Sequence, residues 1–114
     1  THTAYWATND KQAKQLKEAA ELSCEYVCQF PFSDTVKKRV LNKSVIADYI
    51  NSDESRAAQP IAGAEFIKLF ADNANFMHFD IAGTCEYKSK GKTQPVPILM
   101  YTLFNFVKDN YNGK

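Results

Sequence analysis

The residues best suited to chemistry in this 114-residue sequence are His78 and Asp80, which lie two positions apart in the segment "FMHFDIAG" (76–83). On a β-strand, residues two apart point to the same side, so an imidazole and a carboxylate would lie together. A metal pair would need further ligands, and Asp48 is the one obvious candidate from another predicted strand. The alternative is that hydrogen bonds beside a loop satisfy both side chains. We favour this alternative and predict no catalytic residue here and no metal bound by His78.

The three cysteines, Cys24, Cys28 and Cys85, form an odd and sparse set. This usage argues against a disulfide framework and indicates a reducing compartment, so we expect a cytoplasmic protein. Cys24 and Cys28 are four residues apart and would share one face of a helix. Zinc would need two further ligands nearby, and none has the right spacing. We therefore predict two small apolar residues that face a core.

Composition excludes several classes of function. The net charge is +1, from 14 basic and 13 acidic residues, which gives no electrostatic reason to propose nucleic acid or an acidic membrane as a partner. The longest uncharged stretch, 93–107, is too short to span a bilayer and is interrupted by two prolines. The 4 glycines form neither a dinucleotide-binding nor a P-loop pattern. The first residue is Thr1, so we expect a processed or shortened chain, organised as one unit over 1–114.

Hydrophobic periodicity and capping signals predict the elements that would position these residues. Asn9 and Gln12 form a capping-box pattern before the first helix, and Pro60 opens a later helix at its first turn. Pro95 and Pro97 start the last helix, with Val96, Leu99, Leu103 and Phe106 expected to face inward. In chain order the predicted elements are a helix over 9–28, a short helix over 34–42, a strand over 44–51, a helix from 60 to about 71, a strand over 76–82, a loop over 84–94 and the last helix.

Two apolar strands joined by a helix imply a right-handed crossover and an adjacent parallel pair, 44–51 beside 76–82. The predicted class is α/β, a helix-strand-helix-strand-helix fragment of a larger mixed sheet flanked by helices, since two strands alone make a poor sheet. The loop over 84–94 would leave the carboxyl end of a parallel strand, where ligands bind in such sheets. Three lysines, at 88, 90 and 92, make this loop basic, and a solvated loop is the alternative.

Five segments in order resemble the leucyl aminopeptidase (cytosol aminopeptidase) family. "FMHFDIAGT" is similar to the Trp-Ala-His-Leu-Asp-Ile-Ala-Gly signature near the family's C-terminus, with Phe76 in place of tryptophan. The other four segments are "CEYVCQFPF", which matches through Glu25, Pro31 and Phe32; "SVIADYIN", through Ser44, Ala47, Asp48 and Asn51; "AGAEFIKLF"; and "KGKTQPVPILMYTLFNFV", through Lys90, Gly91, Thr93 and Pro95.

The resemblance implies the C-terminal part of the catalytic domain of a metalloaminopeptidase. Enzymes of the family use two divalent ions, zinc or manganese, to activate a water that attacks the N-terminal peptide bond of a peptide substrate. The family's metal ligands and catalytic lysine lie in upstream motifs absent from these 114 residues. We therefore expect no metal ligands in this segment, no activity from it alone, and a hexameric complete parent.

The same resemblance assigns a role to the end of the signature. In the family, its alanine and the loop that follows help to form the pocket for the substrate's N-terminal side chain. Carried over, the pocket residues are Ala82, Gly83, Thr84 and Cys85. The alternative function is a non-catalytic interaction domain that retains this subfold. The two hypotheses differ in whether the complete protein contains the family's metal-binding motifs.

Overall fold

The structure, a computed structural model, describes residues 1–42, 45–51 and 57–111. Five strands and four helices are present in this part of the chain. The strands are β1 (Thr3–Ala7), β2 (Val27–Gln29), β3 (Met77–Asp80), β4 (Glu86–Ser89) and β5 (Lys92–Pro95). The helices are α1 (Asp10–Leu22), α2 (Asp34–Asn42), α3 (Gln59–Lys68) and α4 (Met100–Asn110). The predicted α/β class with a mixed sheet is confirmed.

The centre of the main sheet is β1, which the sequence analysis did not predict. It lies between β2 and β3, parallel to β2 and antiparallel to β3. The sequence of β1, "TAYWA", is rich in residues that favour strands, and Tyr5 and Trp6 are only 2% and 1% exposed. This short strand at the start of the chain therefore organises the sheet that carries the "FMHFDIAG" segment.

The predicted strand over 44–51 is wrong across the part that the structure describes. Residues 45–51 form bends and irregular backbone, and Val45 and Ile46 are 98% and 99% exposed. Ser44 lies outside the described residues. The predicted parallel pair is wrong for the same reason, because β3 pairs with β1 and runs antiparallel to it. A β-branched run favours a strand only where neighbouring strands and side chains cover it.

Helix α1 starts as predicted and ends earlier. The side chain of Asn9 caps it by accepting a hydrogen bond from the backbone N–H of Gln12, at 3.0 Å. The helix stops at Leu22, and Cys24 takes a left-handed conformation with φ of 54° before the chain enters β2. Cys24 and Cys28 are both exposed, so the prediction of two core-facing cysteines on a helix is wrong.

Two apolar clusters hold the helices in place. One combines Tyr5 of β1 with Leu16 of α1 and Phe106 of α4, and the other lies between α2 and α3 around Val40 and Ala62. Helix α3 contains Pro60 in its first turn, as predicted. None of the helices in the described ranges is long and apolar enough to cross a lipid bilayer.

Helix α4 starts at Met100, three residues after Pro97, and only part of its predicted inward face is correct. Leu99 and Phe106 are buried, at 2% and 8% exposed. Val96 and Leu103 are 36% and 41% exposed, so they do not lie on the buried side of the helix. Thr102, which the sequence analysis did not place there, is fully buried. The helix therefore packs through a narrower stripe than the sequence predicts, and it leaves apolar side chains on its outer side.

The predicted loop over 84–94 contains a β-hairpin. Strands β4 and β5 pair antiparallel, with Ser89 opposite Lys92. The two connecting residues, Lys90 and Gly91, have φ of 49° and 75°. Positive φ at both central residues is the geometry of a type I′ turn, whose twist suits a two-residue hairpin. All eight strand residues are exposed, so the basic hairpin is a solvated arm rather than a wall of a cavity.

Candidate substrate-pocket loop

The four predicted pocket residues come together in one turn directly after β3. The backbone N–H groups of Thr84 and Cys85 donate to the carbonyl of Ile81, at 3.0 and 2.9 Å. The Asp80 carboxylate accepts a hydrogen bond from the N–H of Ala82 at 3.1 Å. This is an Asx-type turn, in which a carboxylate imitates a backbone carbonyl. Asp80 therefore shapes the loop, which is the structural role that the sequence analysis favoured for it.

Hydrogen bonds fix this turn to the rest of the chain on both sides. The hydroxyl groups of Thr3 and Thr84 lie 3.1 Å apart and share a hydrogen bond, and Thr3 is 1% exposed at the start of β1. The N–H of Val96 donates to the carbonyl of Cys85 at 2.8 Å. The turn is thus anchored to the central strand and to the segment that leads into α4.

The surface of the turn is small and open. Ala82 and Gly83 are exposed, whereas Thr84 and Cys85 are half-buried. A β-carbon placed on Gly83 would have no heavy atom within 4 Å. The exposed part of the loop offers backbone and methyl groups, which suit contact with an apolar side chain rather than proton transfer or metal binding.

The position of the turn differs from what the parallel-strand rule predicts. Because β3 is antiparallel to β1, the carboxyl end of β3 lies beside Thr3 and Ala4, at the amino end of the parallel pair. The rule that ligands bind at the carboxyl ends of parallel strands therefore does not apply to this loop. Its assignment as a pocket depends on the family resemblance.

A separate groove of about 440 Å³ lies at the other end of β1, beside Ala7 and Thr8. Its walls include Lys68, whose ammonium group stands 3.9 Å from the centroid of the Phe32 ring. None of the four predicted pocket residues lines this groove. The groove and the turn after β3 are therefore two different places on the molecule.

His78 packs among aromatic rings. Its ring centroid is 5.7 Å from that of Trp6 and 6.4 Å from that of Phe76. Burial lowers the pKa of the imidazole below its usual value, and the nearby Asp80 carboxylate opposes this effect. A desolvated imidazole favours its neutral form, which packs well against aromatic faces. This environment makes His78 part of the aromatic packing around β1.

The described residues do not fit a two-metal centre. No group of three or more His, Cys, Asp or Glu side chains converges anywhere in residues 1–42, 45–51 and 57–111. Asp48 lies in the exposed, bent segment rather than on a strand beside Asp80. A hydrolytic site that uses two ions needs several such ligands around each ion. The absence of metal ligands from the whole segment remains a prediction.

Glu25 makes a partly buried connection between distant parts of the chain that the sequence analysis did not predict. Its carboxylate accepts hydrogen bonds from both the backbone N–H and the hydroxyl of Thr102, each at 2.8 Å. The two residues are 77 positions apart. The only sequence signal was the position of Glu25 in one of the five family-like segments. Glu25 therefore fixes the start of α4, which follows the pocket turn and the hairpin.

Comparison with known proteins identifies relatives of this arrangement. Residues 1–102 match the family model described as the cytosol aminopeptidase family, catalytic domain. A probable cytosol aminopeptidase of Fusobacterium nucleatum is 32% identical over 117 residues, which cover 96% of this chain and 23% of the relative. One from Legionella pneumophila is 31% identical over 104 residues, which cover 89% and 21%.

A solved structure agrees with these sequence matches. The fold superposes on that of a mutant tomato leucine aminopeptidase with a TM-score of 0.81 and 28% sequence identity. The match covers 96% of this chain and 21% of the tomato chain. The present chain therefore spans only about a fifth of the length of the relatives that it matches.

Proposed function

Because the chain belongs to the cytosol aminopeptidase family, we propose that it is the C-terminal part of the catalytic domain of a metal-dependent leucyl-type aminopeptidase. The complete enzyme removes N-terminal amino acids from peptides. The observation that carries the proposal is the anchored turn over 82–85. It lies inside the matched range 1–102, at the position where the family resemblance puts the side-chain pocket.

In this proposal the turn contacts the N-terminal side chain of the peptide. Ala82 and Gly83 present little bulk, so an apolar side chain can approach the backbone closely. The hydrogen bonds of Thr84 and Cys85 hold that backbone in one conformation before the substrate binds. A preformed pocket loses less conformational entropy on binding than a mobile loop does.

The remaining part of the catalytic domain holds the metal ions, zinc or manganese. Two such ions supply the activated water for peptide-bond hydrolysis when they are bound. This chain supplies recognition of the side chain, and recognition without a nucleophile does not accelerate hydrolysis. The segment alone is therefore inactive, and the complete enzyme is a cytoplasmic hexamer that acts on peptides.

The test uses a chimera in which these 114 residues replace the matching segment of the Fusobacterium nucleatum relative. Ala82→Leu fills the proposed pocket and should lower kcat/KM for leucine p-nitroanilide by about 10-fold or more relative to alanine p-nitroanilide. The matched control is Ala74→Leu, which adds the same bulk at an exposed position in the separate groove. If Ala82→Leu and Ala74→Leu have the same ratio of kcat/KM for the leucyl and alanyl substrates, the turn does not form the side-chain pocket.

A further inference from the structure

Helix α4 has a second apolar face that no described part of the chain covers. Its inward side carries the buried Thr102 and Phe106. The other side carries four large apolar residues with the spacing of one helical face, and we call these four the outer face of α4. They are Met100, Leu103, Phe104 and Val107, which are 48%, 41%, 63% and 53% exposed.

The composition of α4 is that of a buried helix. Its only charged residues are Lys108 and Asp109, both in its last turn. A helix with apolar residues on opposite sides is typical of the interior of a larger protein, whereas a surface helix has one polar face. With ~200 Å² for each large side chain, the outer face exposes on the order of 400 Å². A patch of that size on a monomer often marks an interaction site.

The comparisons indicate what covers this face. The matched relatives place about four fifths of their chain outside the segment that corresponds to this one. The match to the tomato enzyme, with a TM-score of 0.81, shows that this chain keeps the fold that the segment has inside that longer protein. An uncharged, apolar helix face complements the interior of a catalytic domain better than the solvated surface of an unrelated protein.

We propose that the outer face of α4 is the docking surface for the part of an aminopeptidase catalytic domain that this chain does not span. The inference rests on the proposed function, because it takes its occupant from the family. It adds a specific contact surface, in which Phe104 is the most exposed of the four residues. Burial of these side chains contributes to association, and a charge placed among them would be desolvated without a partner.

The first experiment mixes this chain with the remaining part of the Fusobacterium nucleatum relative, produced as a separate polypeptide, and measures association by analytical ultracentrifugation and calorimetry. The wild-type chain should form a one-to-one complex, and Phe104→Glu should weaken the complex at least 10-fold. The matched control is Tyr101→Glu on the same helix. Tyr101 is 61% exposed, close to the 63% of Phe104, and at 3.6 residues per turn it lies about 60° further from the centre of the outer face than Phe104 does. This control should bind like the wild type, and circular dichroism checks that both variants stay folded.

A second measurement does not depend on the solubility of the separate part. In the chimera, Phe104→Glu should lower the thermal midpoint clearly more than Tyr101→Glu does. Equal effects of the two variants in both measurements would overturn the proposal. Self-association of the chain that Phe104→Glu abolishes, without any complex with the remaining part, would also overturn it and assign the face to a second copy.

The enzymatic assay separates this proposal from the proposed function. A complex that forms through the outer face but does not hydrolyse leucine p-nitroanilide supports docking and contradicts the function. The opposite outcome is a chimera that hydrolyses leucine p-nitroanilide and whose two single variants, Phe104→Glu and Tyr101→Glu, have the same thermal midpoint. That outcome supports the function and contradicts docking.

Discussion

The hydrogen bonds between Glu25 and Thr102 give the sharpest prediction for stability. Thr102 is the third residue of α4, so its N–H is one of the first four in the helix that have no partner within it. Leu99, at the N-cap position, has φ of 59° and makes no capping hydrogen bond with its side chain. Glu25 therefore replaces the missing cap from a distant part of the chain, and it places a carboxylate at the positive end of the helix dipole.

The expected effect follows from what each substitution leaves behind. Glu25→Ala leaves two donors of Thr102, a residue that is 0% exposed, without an acceptor. A hydrogen bond to a charged group contributes about 1.5–3 kcal/mol, and the two bonds share one oxygen, so we expect a loss of roughly 2–4 kcal/mol. Glu25→Gln keeps an acceptor without the charge and should cost about 1 kcal/mol.

The assay is urea unfolding monitored by the fluorescence of Trp6, the single tryptophan, which is 1% exposed in β1. Thr102→Val removes only the hydroxyl donor, and a double-mutant cycle with Glu25→Ala should show a coupling of about 0.5–1.5 kcal/mol. If Glu25→Ala changes the free energy of unfolding by less than about 0.5 kcal/mol, the usual range for surface substitutions, the assigned capping role is wrong.

Two further predictions concern His78 and the glycines. The folded-state pKa of His78 lies below its unfolded value, so the unfolded chain binds more protons, and stability should fall as pH drops through the unfolded pKa of about 6.5. Urea unfolding at pH 7.5 and 5.0 should show a smaller difference in the free energy of unfolding for His78→Gln than for the wild type, and an equal difference for the two proteins would contradict this prediction. Gly91→Ala should destabilise the hairpin by about 1 kcal/mol because φ is 75° there, whereas Gly83→Ala, with open space around it, should be neutral or slightly stabilising. Hydrogen exchange of the hairpin amides measures the effect of Gly91→Ala, and urea unfolding measures the effect of Gly83→Ala. Equal destabilisation by the two substitutions would contradict the assignment of a type I′ turn at Lys90 and Gly91.

Local signals were sufficient for the starts of two helices. The side chain of Asn9 caps α1 at Gln12, and the fixed φ of Pro60 favours the first turn of α3. Both signals depend on a few adjacent residues. The end of α1 was predicted six residues too late, since the apolar spacing continues to Val27 while the left-handed Cys24 already breaks the helix. A cysteine side chain has no property that would predict a left-handed backbone conformation at Cys24.

The pairing of strands was not predictable in the same way. Val45 and Ile46 have higher strand propensity than most of β1, yet they are solvent-exposed and Tyr5 and Trp6 are in the core. Which segment joins a sheet depends on its long-range partners, and the partners of β1 are 24 positions away in β2 and 70 to 76 positions away in β3. The same holds for Glu25, whose role depends on a residue 77 positions along the chain.

The candidate pocket was found through the ordered resemblance of five segments rather than through any reactive group. Among the described residues, the turn over 82–85 belongs to no cluster of possible metal ligands, so the chemistry of its side chains alone does not indicate a site. The structure adds the hydrogen bonds that give the turn one fixed shape: Thr3 shares one with Thr84, the Asp80 carboxylate accepts one from Ala82, and the N–H of Val96 donates one to Cys85.

The central claim is that this chain completes an aminopeptidase catalytic domain but contributes neither metal ligands nor catalytic residues to it. The most direct measurement is hydrolysis of leucine p-nitroanilide with added manganese or zinc by three samples: this chain alone, the remaining part of the Fusobacterium nucleatum relative alone, and the chimera of the two. We predict turnover by the chimera and none by either part. Turnover by this chain alone that scales with its concentration and survives repurification, or a folded, metal-loaded chimera without activity, would contradict the claim.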